Sequence, residues 1–356
     1  MKKNIAICAA AIIMAGSLWA CGSGASSAPS SANESAAEQD SDGLSIVTTI
    51  FPEYDWVQNI LGENPAQAQV TMLLDDGVDL HSFQPTAEDI LKISTCDMFI
   101  YVGGESDDWV EDALKEATNK NMVVINLLDA LGDTVMEEEI VEGMEHDHDH
   151  DHEEAEEDHD HEEAAEEDHD HDHEETEYDE HVWLSLRRTA TLCQNIAQSL
   201  QAIDPDNAAV YEKNAADYIA KLNALDEGYT KAVSEAKVKT LVFGDRFPFR
   251  YMTEDYGLEY FAAFAGCSAE TEASFETVTF LAQKVDELGL RSVMTIEGTD
   301  HRIAETIVQS TETKDQKILT LDSMQATTAK DVESGASYLS IMENNLKALE
   351  EALQND

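Results

Sequence analysis

Apolar and polar positions along the chain form two similar series of strand-like and helix-like segments. The first series has strand-like runs at 45–50, 69–74, 97–102 and 122–127, and helix-like segments at 53–61, 87–94 and 109–118. The second has strand-like runs at 240–243, 258–264, 291–296 and 317–321, and helix-like segments at 249–256, 275–288 and 302–310. Such alternation is typical of mostly parallel sheets flanked by helices. We therefore expect an α/β fold with two lobes.

A long helical stretch lies between the two series. Asp204-Pro205 divides it, because proline ends one helix and suits the first turn of the next. Beyond this dipeptide, apolar residues recur at steps of four and three, and such a stripe must pack along another element. The stripe consists of Tyr211, Ala215, Tyr218, Leu222, Leu225 and Tyr229. We predict an N-terminal lobe over 44–185, a rigid helical linker over 186–237 and a C-terminal lobe over 238–356.

The beginning of the chain indicates export. A short basic start precedes an apolar run over 5–19, which is shorter than the roughly 20 residues that span a bilayer. Leu18-Trp19-Ala20-Cys21 resembles a bacterial lipobox, which implies cleavage before Cys21 and lipid attachment to its thiol; cleavage at another small residue is the alternative. We expect a signal peptide over 1–20 and a flexible tether over 21–43. The protein would then be extracytoplasmic, either lipid-anchored at the outer face of the cytoplasmic membrane or periplasmic.

A tract rich in histidine and acid, residues 145–175, interrupts the first series. It holds nine of the chain's twelve histidines and has no apolar residue larger than alanine. We therefore predict a disordered insertion over 137–177. Imidazoles among carboxylates can collect zinc loosely, and the alternative is a passive solvated spacer. The histidines of the tract are His146, His148, His150, His152, His159, His161, His169, His171 and His173.

Charge, cysteine content and missing motifs exclude several classes of function. The formal net charge is −54, so nucleic acid phosphates would be repelled and cations attracted. Once Cys8 and Cys21 are set aside, Cys96, Cys193 and Cys267 remain without a C-x-x-C pair, which argues against a disulfide framework. Neither H-E-x-x-H nor G-x-S-x-G occurs, so a secreted zinc hydrolase is disfavoured and we expect no enzyme.

Side chains able to bind a metal gather just after the predicted strands. His81 follows the second strand-like run, and His181 lies where the acidic tract ends. Because parallel sheets bind ligands beyond the carboxyl ends of their strands, these residues and the acids after the later strands can meet in one crevice. Two imidazoles with carboxylates suit Zn²⁺ or, with more oxygen, Mn²⁺. The candidates are His81, His181, Asp245, Glu297, His301 and Asp322.

Each of these candidates also has an ordinary structural interpretation. A lone histidine such as His81 or His181 is more often a satisfied polar residue than a ligand. Asp245 and Asp322 could be helix caps or turn residues, and His301 could be a surface residue in a first helical turn. Glu297 could orient an imidazole without touching the ion.

Four stretches resemble the extracytoplasmic zinc and manganese binding proteins of ABC transporters, the ZnuA-like family. They are "VDLHSFQPTAEDI", "DEHVWLSLR", "AIDPDNAAVYEKNAADYIAKLNALD" and "ILTLDSM", and the resemblance runs from about residue 45 to the end. It implies that His81 and His181 are the first two ligands and that Asp322 is a late aspartate ligand. It also implies capture of Zn²⁺, with Mn²⁺ as the alternative, and delivery to a membrane permease driven by a cytoplasmic ATPase. We expect a monomer.

The chain departs from the family at the third ligand. Family members carry a histidine or glutamate after the first strand of the second lobe, where this chain has Gly244 followed by Asp245. Glycine offers no side-chain ligand, so we take Asp245 as the first candidate and leave Asp322, through both oxygens, open. Also open are Glu297, His301, Cys267 and a histidine of the tract. A surface zinc buffer or adhesin without a transport role is a further alternative to the importer.

Overall fold

Runs rich in Val, Ile and Phe form the strands of two lobes in the computed structural model of the chain. The strands of the N-lobe are Ser45–Thr48 (β1), Gln69–Met72 (β2), Met98–Tyr101 (β3) and Val123–Asn126 (β4). Those of the C-lobe are Thr240–Phe247 (β5), Glu259–Ala265 (β6), Ser292–Ile296 (β7) and Lys317–Leu321 (β8). Their orders are β2-β1-β3-β4 and β6-β5-β7-β8, and the paired strands are parallel. The predicted two-lobe α/β fold is confirmed.

The structure describes residues 43–144, 177–268, 272–298 and 300–354. The predicted signal peptide, Cys21, most of the tether and the nine histidines of the tract therefore lie outside the described residues. Within these ranges, no helix combines the length and the apolar character needed to cross a bilayer.

Helices flank both sheets. In chain order the described helices are Phe51–Leu61 (α1), Ala87–Thr95 (α2), Trp109–Lys115 (α3), Leu127–Leu131 (α4), Leu186–Ile203 (α5), Ala208–Glu235 (α6), Arg250–Tyr256 (α7), Phe275–Leu288 (α8), Arg302–Ser310 (α9), Ala329–Glu333 (α10) and Tyr338–Leu353 (α11). The predicted segments include none of α4, α10 and α11. Five residues are too few to show a helical period in α4 and α10, whereas α11, with 16 residues, was long enough to show one and was not predicted.

The first strand ends earlier than its apolar run predicts. The buried Glu53 carboxylate accepts hydrogen bonds from the backbone N–H groups of Thr49, at 2.8 Å, and Ile50, at 3.2 Å. These bonds satisfy the backbone N–H groups just before α1, which would otherwise need other partners. The backbone therefore leaves the sheet after Thr48.

The long helix α6 contacts both lobes. Its predicted stripe is buried at Tyr211, Ala215, Tyr218, Leu222 and Tyr229. The Tyr218 hydroxyl donates to Asp55 of α1 at 3.1 Å, and the Tyr229 hydroxyl donates to the Met342 carbonyl of α11 at 2.7 Å. The prediction of a long linker helix is confirmed, and its two ends are tied to different lobes.

Packing explains the glycine at position 244. A Cβ atom on Gly244 would lie 2.6 Å from the Cα of Ala304 and 2.7 Å from its backbone nitrogen, because α9 packs directly against β5. The obstacle is backbone, which cannot move aside as a flexible side chain can. Position 244 therefore has no room for a ligand side chain of any kind.

Gly244→Ala is expected to lower the free energy of unfolding by about 1–3 kcal/mol, since the added methyl group overpacks the contact between β5 and α9. Urea denaturation followed by circular dichroism measures this. The matched control is Gly228→Ala in α6, whose Cβ would meet only the side-chain end of Leu346 at 3.0 Å. That change should be neutral or stabilise by up to about 1 kcal/mol. Equal stability of Gly244→Ala and wild type would contradict the packing account.

Candidate metal centre

His81 lies on the loop that follows β2, in a single 3₁₀ turn formed by Leu80–Ser82. The Asp79 side chain caps this turn by accepting a hydrogen bond from the His81 backbone N–H at 3.1 Å. The cap fixes the backbone of the histidine at the carboxyl end of the N-lobe sheet, where α/β folds place their ligands.

His181 lies where the His-rich insertion returns to the fold. The two ends of the insertion are paired, because the Glu138 N–H donates to the Glu177 carbonyl and the Asp179 N–H donates to the Met136 carbonyl, both at 2.9 Å. The Asp179 carboxylate then accepts from the His181 backbone N–H at 2.9 Å and lies 3.1 Å from its Nδ1. His181 is fully buried, so its ring is held in one orientation.

The two imidazoles meet in the cleft between the lobes. The Nε2 atoms of His81 and His181 are 3.2 Å apart, and Nδ1 of His81 lies 2.7 Å from the Ser106 hydroxyl. We assign the ring proton to Nδ1 in both histidines, since each Nδ1 faces an oxygen acceptor. Two Nε2 lone pairs then face each other, which is unfavourable without a cation or a donor between them. Nitrogen ligands of a tetrahedral zinc ion, each about 2.0–2.1 Å from it, are about 3.3 Å apart.

Cys267 completes a group of three potential ligands. One ligand atom from each of His81, His181 and Cys267 lies within 4.8 Å of the other two, and this is the one such group among the residues that the structure describes. Cys267 follows β6, and the preceding Gly266 lets the loop lie on the His181 ring. A Cβ on Gly266 would be 3.0 Å from Cε1 of His181.

Gln325, on the turn after β8, reaches the same point. Its amide Nε2 lies 2.8 Å from Nε2 of His181 and 3.2 Å from Nε2 of His81, so the amide can donate to both imidazole lone pairs. The Glu297 carboxylate holds this turn by accepting from the backbone N–H groups of Ser323, at 2.6 Å, and Gln325, at 3.1 Å. Glu297 therefore orients the turn rather than an imidazole.

The other predicted ligands lie outside this group of three. The two oxygens of Asp245 accept from the N–H groups of Arg246, at 2.9 Å, and Ile296, at 3.2 Å, which ties β5 to β7. Burial, and then the neighbouring Glu297, raises the pKa of Asp322 to about 7. His301 precedes α9 with φ of 56°. Among the described residues, the ligand group of the two histidines includes none of the other predicted ligands, which are Asp245, Glu297, His301 and Asp322.

An ion pair connects the lobes beside the imidazoles. Arg246 of β5 donates through Nη2 to the Asp79 carboxylate at 2.7 Å, and its Nη1 lies 3.4 Å from the Ser268 carbonyl. The guanidinium thus links the turn that carries His81 to the loop that carries Cys267.

Burial and nearby charges affect the protonation of His81 and Cys267. Burial, and then the neighbouring His181, lowers the pKa of His81 to about 3, so its imidazole is neutral and able to bind metal at physiological pH. Burial raises the pKa of the Cys267 thiol, and so do the nearby carboxylates of Glu138, Asp179 and Glu180. These acids supply negative charge around a bound cation.

Sequence reasoning missed Gln325, Arg246 and the orienting role of Asp179. Gln325 comes shortly after a predicted strand, which is the position that drew attention to the other candidates. Neither an amide nor a guanidinium is a usual zinc ligand, so residue type alone does not single out Gln325 or Arg246. Asp179 stands two residues before His181, and that spacing was the available signal.

Residues 46–352 match the family described as ZnuA, zinc-uptake complex component A, periplasmic. The chain is 32% identical over 306 residues to the zinc-binding protein AdcA of Streptococcus pyogenes serotype M6, covering 86% of this chain and 55% of AdcA. It is 29% identical over 323 residues to the high-affinity zinc uptake system protein ZnuA of Bacillus subtilis, covering 91% of this chain and 92% of that protein. The chain thus spans little more than half the length of AdcA.

Solved structures show the same fold. The Zn(II)-bound ZnuA-like domain of Streptococcus pneumoniae AdcA superposes with a TM-score of 0.65 at 29% identity, covering 88% of this chain and 100% of that domain. The metal-dependent lipoprotein YcdH from Bacillus subtilis gives a TM-score of 0.66 at 26% identity, covering 87% of this chain and 99% of that protein.

Asp179→Asn is expected to weaken zinc binding by about 10–100-fold, because the carboxylate that orients the His181 ring is lost while the shape of the side chain is kept. Competition with a zinc-binding dye measures the affinity. Asp226→Asn serves as the matched control, since Asp226 bonds Arg187 and Tyr256 instead of either histidine. Unchanged affinity in Asp179→Asn would show that the carboxylate does not tune the ligand.

Proposed function

Because the chain belongs to the ZnuA family of zinc-uptake components, we propose that it captures Zn²⁺ in the cleft between its lobes and delivers it to the permease of an ABC importer. The observation that carries this proposal is that the Nε2 atoms of His81 and His181 lie 3.2 Å apart. In each ring the other nitrogen, Nδ1, is within hydrogen-bond distance of a side-chain oxygen, of Ser106 or of Asp179. Protein groups have already fixed the orientation of both rings, so zinc binding requires little rearrangement of them.

His81 and His181 are the proposed nitrogen ligands. Asp322 remains the late carboxylate that the family resemblance implies, and Asp245, Glu297 and His301 remain candidates of lower rank. In their present orientations Asp245 and Glu297 accept hydrogen bonds from backbone N–H groups, so either would have to give up those bonds to reach the ion.

Zinc bound here would link the two lobes. His81 belongs to the N-lobe, and the loops after β6 and β8 bring C-lobe groups to the same point. The Arg246–Asp79 ion pair already spans the cleft, and α6 is bonded to both lobes. We infer that capture and release need small movements around a stiff helix rather than wide hinge closure. An ion with all four tetrahedral positions filled by protein groups has no open position for water, so such a site would hold the ion rather than support hydrolysis.

The His-rich tract is proposed as an accessory collector. The segments that flank the tract are paired beside His181, so ions bound loosely along the tract would be concentrated near the cleft.

Cell-surface attachment is proposed through lipid on Cys21, and the tether over 22–43 would let the lobes reach a permease. The name of a Streptococcus pneumoniae relative, zinc-binding lipoprotein AdcA, supports such an anchor; that protein is 32% identical over 320 residues. We further propose that the chain acts as a monomer, with the lobe boundaries given above, and that the partner permease is driven by an ATPase.

Zinc is the proposed cargo in preference to manganese, because two imidazoles and a nearby thiol suit Zn²⁺ better than Mn²⁺. A surface zinc buffer or adhesin could use the same residues without a permease, and only a transport experiment separates these roles.

His81→Ala is expected to abolish the tight zinc site, with a loss greater than the about 10–100-fold typical of orienting residues, while leaving loose binding by the tract. A variant lacking residues 145–175 should show the reverse, keeping one tight ion and losing the loose ones. Isothermal titration with a competing chelator measures both. Equal tight binding by wild type and His81→Ala would refute the assignment.

Deletion of the gene is expected to slow growth at limiting zinc, and excess zinc should restore growth. Wild type supplied in trans should cure the defect, and His81→Ala should not. Normal growth of the deletion strain at limiting zinc, in cells with no second zinc importer, would favour the buffer or adhesin.

A further inference from the structure

Cys267 differs from the other described cysteines in its surroundings. Cys96 and Cys193 are buried in the hydrophobic core, with no exposed surface. Cys267 lies at the cleft, and its sulfur belongs to the ligand group of His81 and His181. Its environment is therefore that of a ligand rather than that of a packing residue.

Several contacts position the Cys267 loop at the imidazoles. Gly266 permits close approach to the His181 ring, since a side chain there would collide with the ring and with the Phe247 carbonyl. The Cys267 N–H donates to the Glu138 carboxylate at 3.3 Å, and Arg246 contacts the Ser268 carbonyl at 3.4 Å. The loop is thus held from both sides of the cleft.

The groups nearer to the family's third position are less suited to the role. Gly244 lacks a side chain and has no space for one. Both oxygens of Asp245 already accept backbone hydrogen bonds, and Asp322 accepts from the Met324 N–H at 2.8 Å. Moving the Asp245 carboxylate to the ion would leave the N–H groups of Arg246 and Ile296 without their acceptor. The Cys267 sulfur already lies in the ligand group of the two histidines.

We propose, as a deepening of the zinc-capture function and resting on it, that the Cys267 thiolate is the third protein ligand of the zinc ion. On binding, Zn²⁺ displaces the thiol proton to solvent, and a Zn–S bond forms. Two neutral imidazoles and one thiolate leave a net charge of about +1, which the carboxylates of Asp179 and Glu180 offset.

A thiolate ligand has a consequence for selectivity. Sulfur is a soft ligand that favours Zn²⁺ and disfavours Mn²⁺, so the site would be more zinc-selective than one completed by a carboxylate. A thiolate in place of the family's third histidine or glutamate would therefore preserve the preference for Zn²⁺.

Cobalt(II) tests the assignment, because a thiolate bound to Co²⁺ gives a sulfur-to-metal charge-transfer band that imidazole and carboxylate ligands cannot give. The His-rich tract contains no cysteine, so it cannot contribute to this band. Purified full-length protein loaded with one equivalent of Co²⁺ should show the band. Cys267→Ser should lose it and bind zinc at least about 10-fold more weakly. Cys96→Ala, a core cysteine, is the control and should keep both.

The outcomes separate this inference from the proposed function. A wild-type protein without the band, or a Cys267→Ser variant that keeps it, would overturn the thiolate ligand. If that wild-type protein still binds one zinc ion tightly and His81→Ala abolishes this binding, zinc capture in the cleft is supported without the thiolate ligand. If His81→Ala also binds zinc tightly, both the thiolate ligand and the proposed function are refuted. Circular dichroism of Cys267→Ser, and of Cys267→Ala as a second variant, checks that lost binding is not lost folding.

Discussion

Two imidazole nitrogens that face each other 3.2 Å apart are the constraint on which this centre depends. Their Nδ1 atoms are committed to Ser106 and Asp179, so neither ring can turn its Nε2 lone pair away without breaking a buried hydrogen bond. Something must lie between the lone pairs. In this structure the amide of Gln325 donates toward both, and a divalent cation would satisfy them more strongly.

The rest of the fold brings these groups together from distant parts of the chain. His81 lies on the loop after β2, and His181 lies just after the paired ends of the His-rich insertion. Cys267 and Gln325 lie on the loops after β6 and β8. Contacts across the cleft hold this arrangement. The Trp183 indole N–H donates to the Ser323 carbonyl at 2.8 Å, beside the turn of Gln325, and the Tyr338 hydroxyl donates to the Trp183 carbonyl at 2.6 Å. The lobes therefore share a buried polar contact as well as a linker helix.

Much of the fold could be predicted from the sequence, because period-two and helical patterns report which face of an element is buried. The eight strands of the described chain and the stripe of α6 were predicted in this way. Strand ends were less well predicted, because β1 stops where Glu53 binds the backbone and β5 continues past Gly244 to Phe247. At the site, His81 was predicted from its position after a strand, and His181 from its position where the acidic tract ends. Gln325 and Arg246 were not, since their roles follow from which loops meet in space, and sequence order does not show that.

Anomalous diffraction at the zinc absorption edge, from crystals of the zinc-loaded protein, tests the central claim most directly. We expect one strong peak between the lobes, about 2.0–2.1 Å from Nε2 of both His81 and His181. A cleft without such a peak in protein that carries zinc, or a peak that contacts only one of the two imidazoles, would contradict the account.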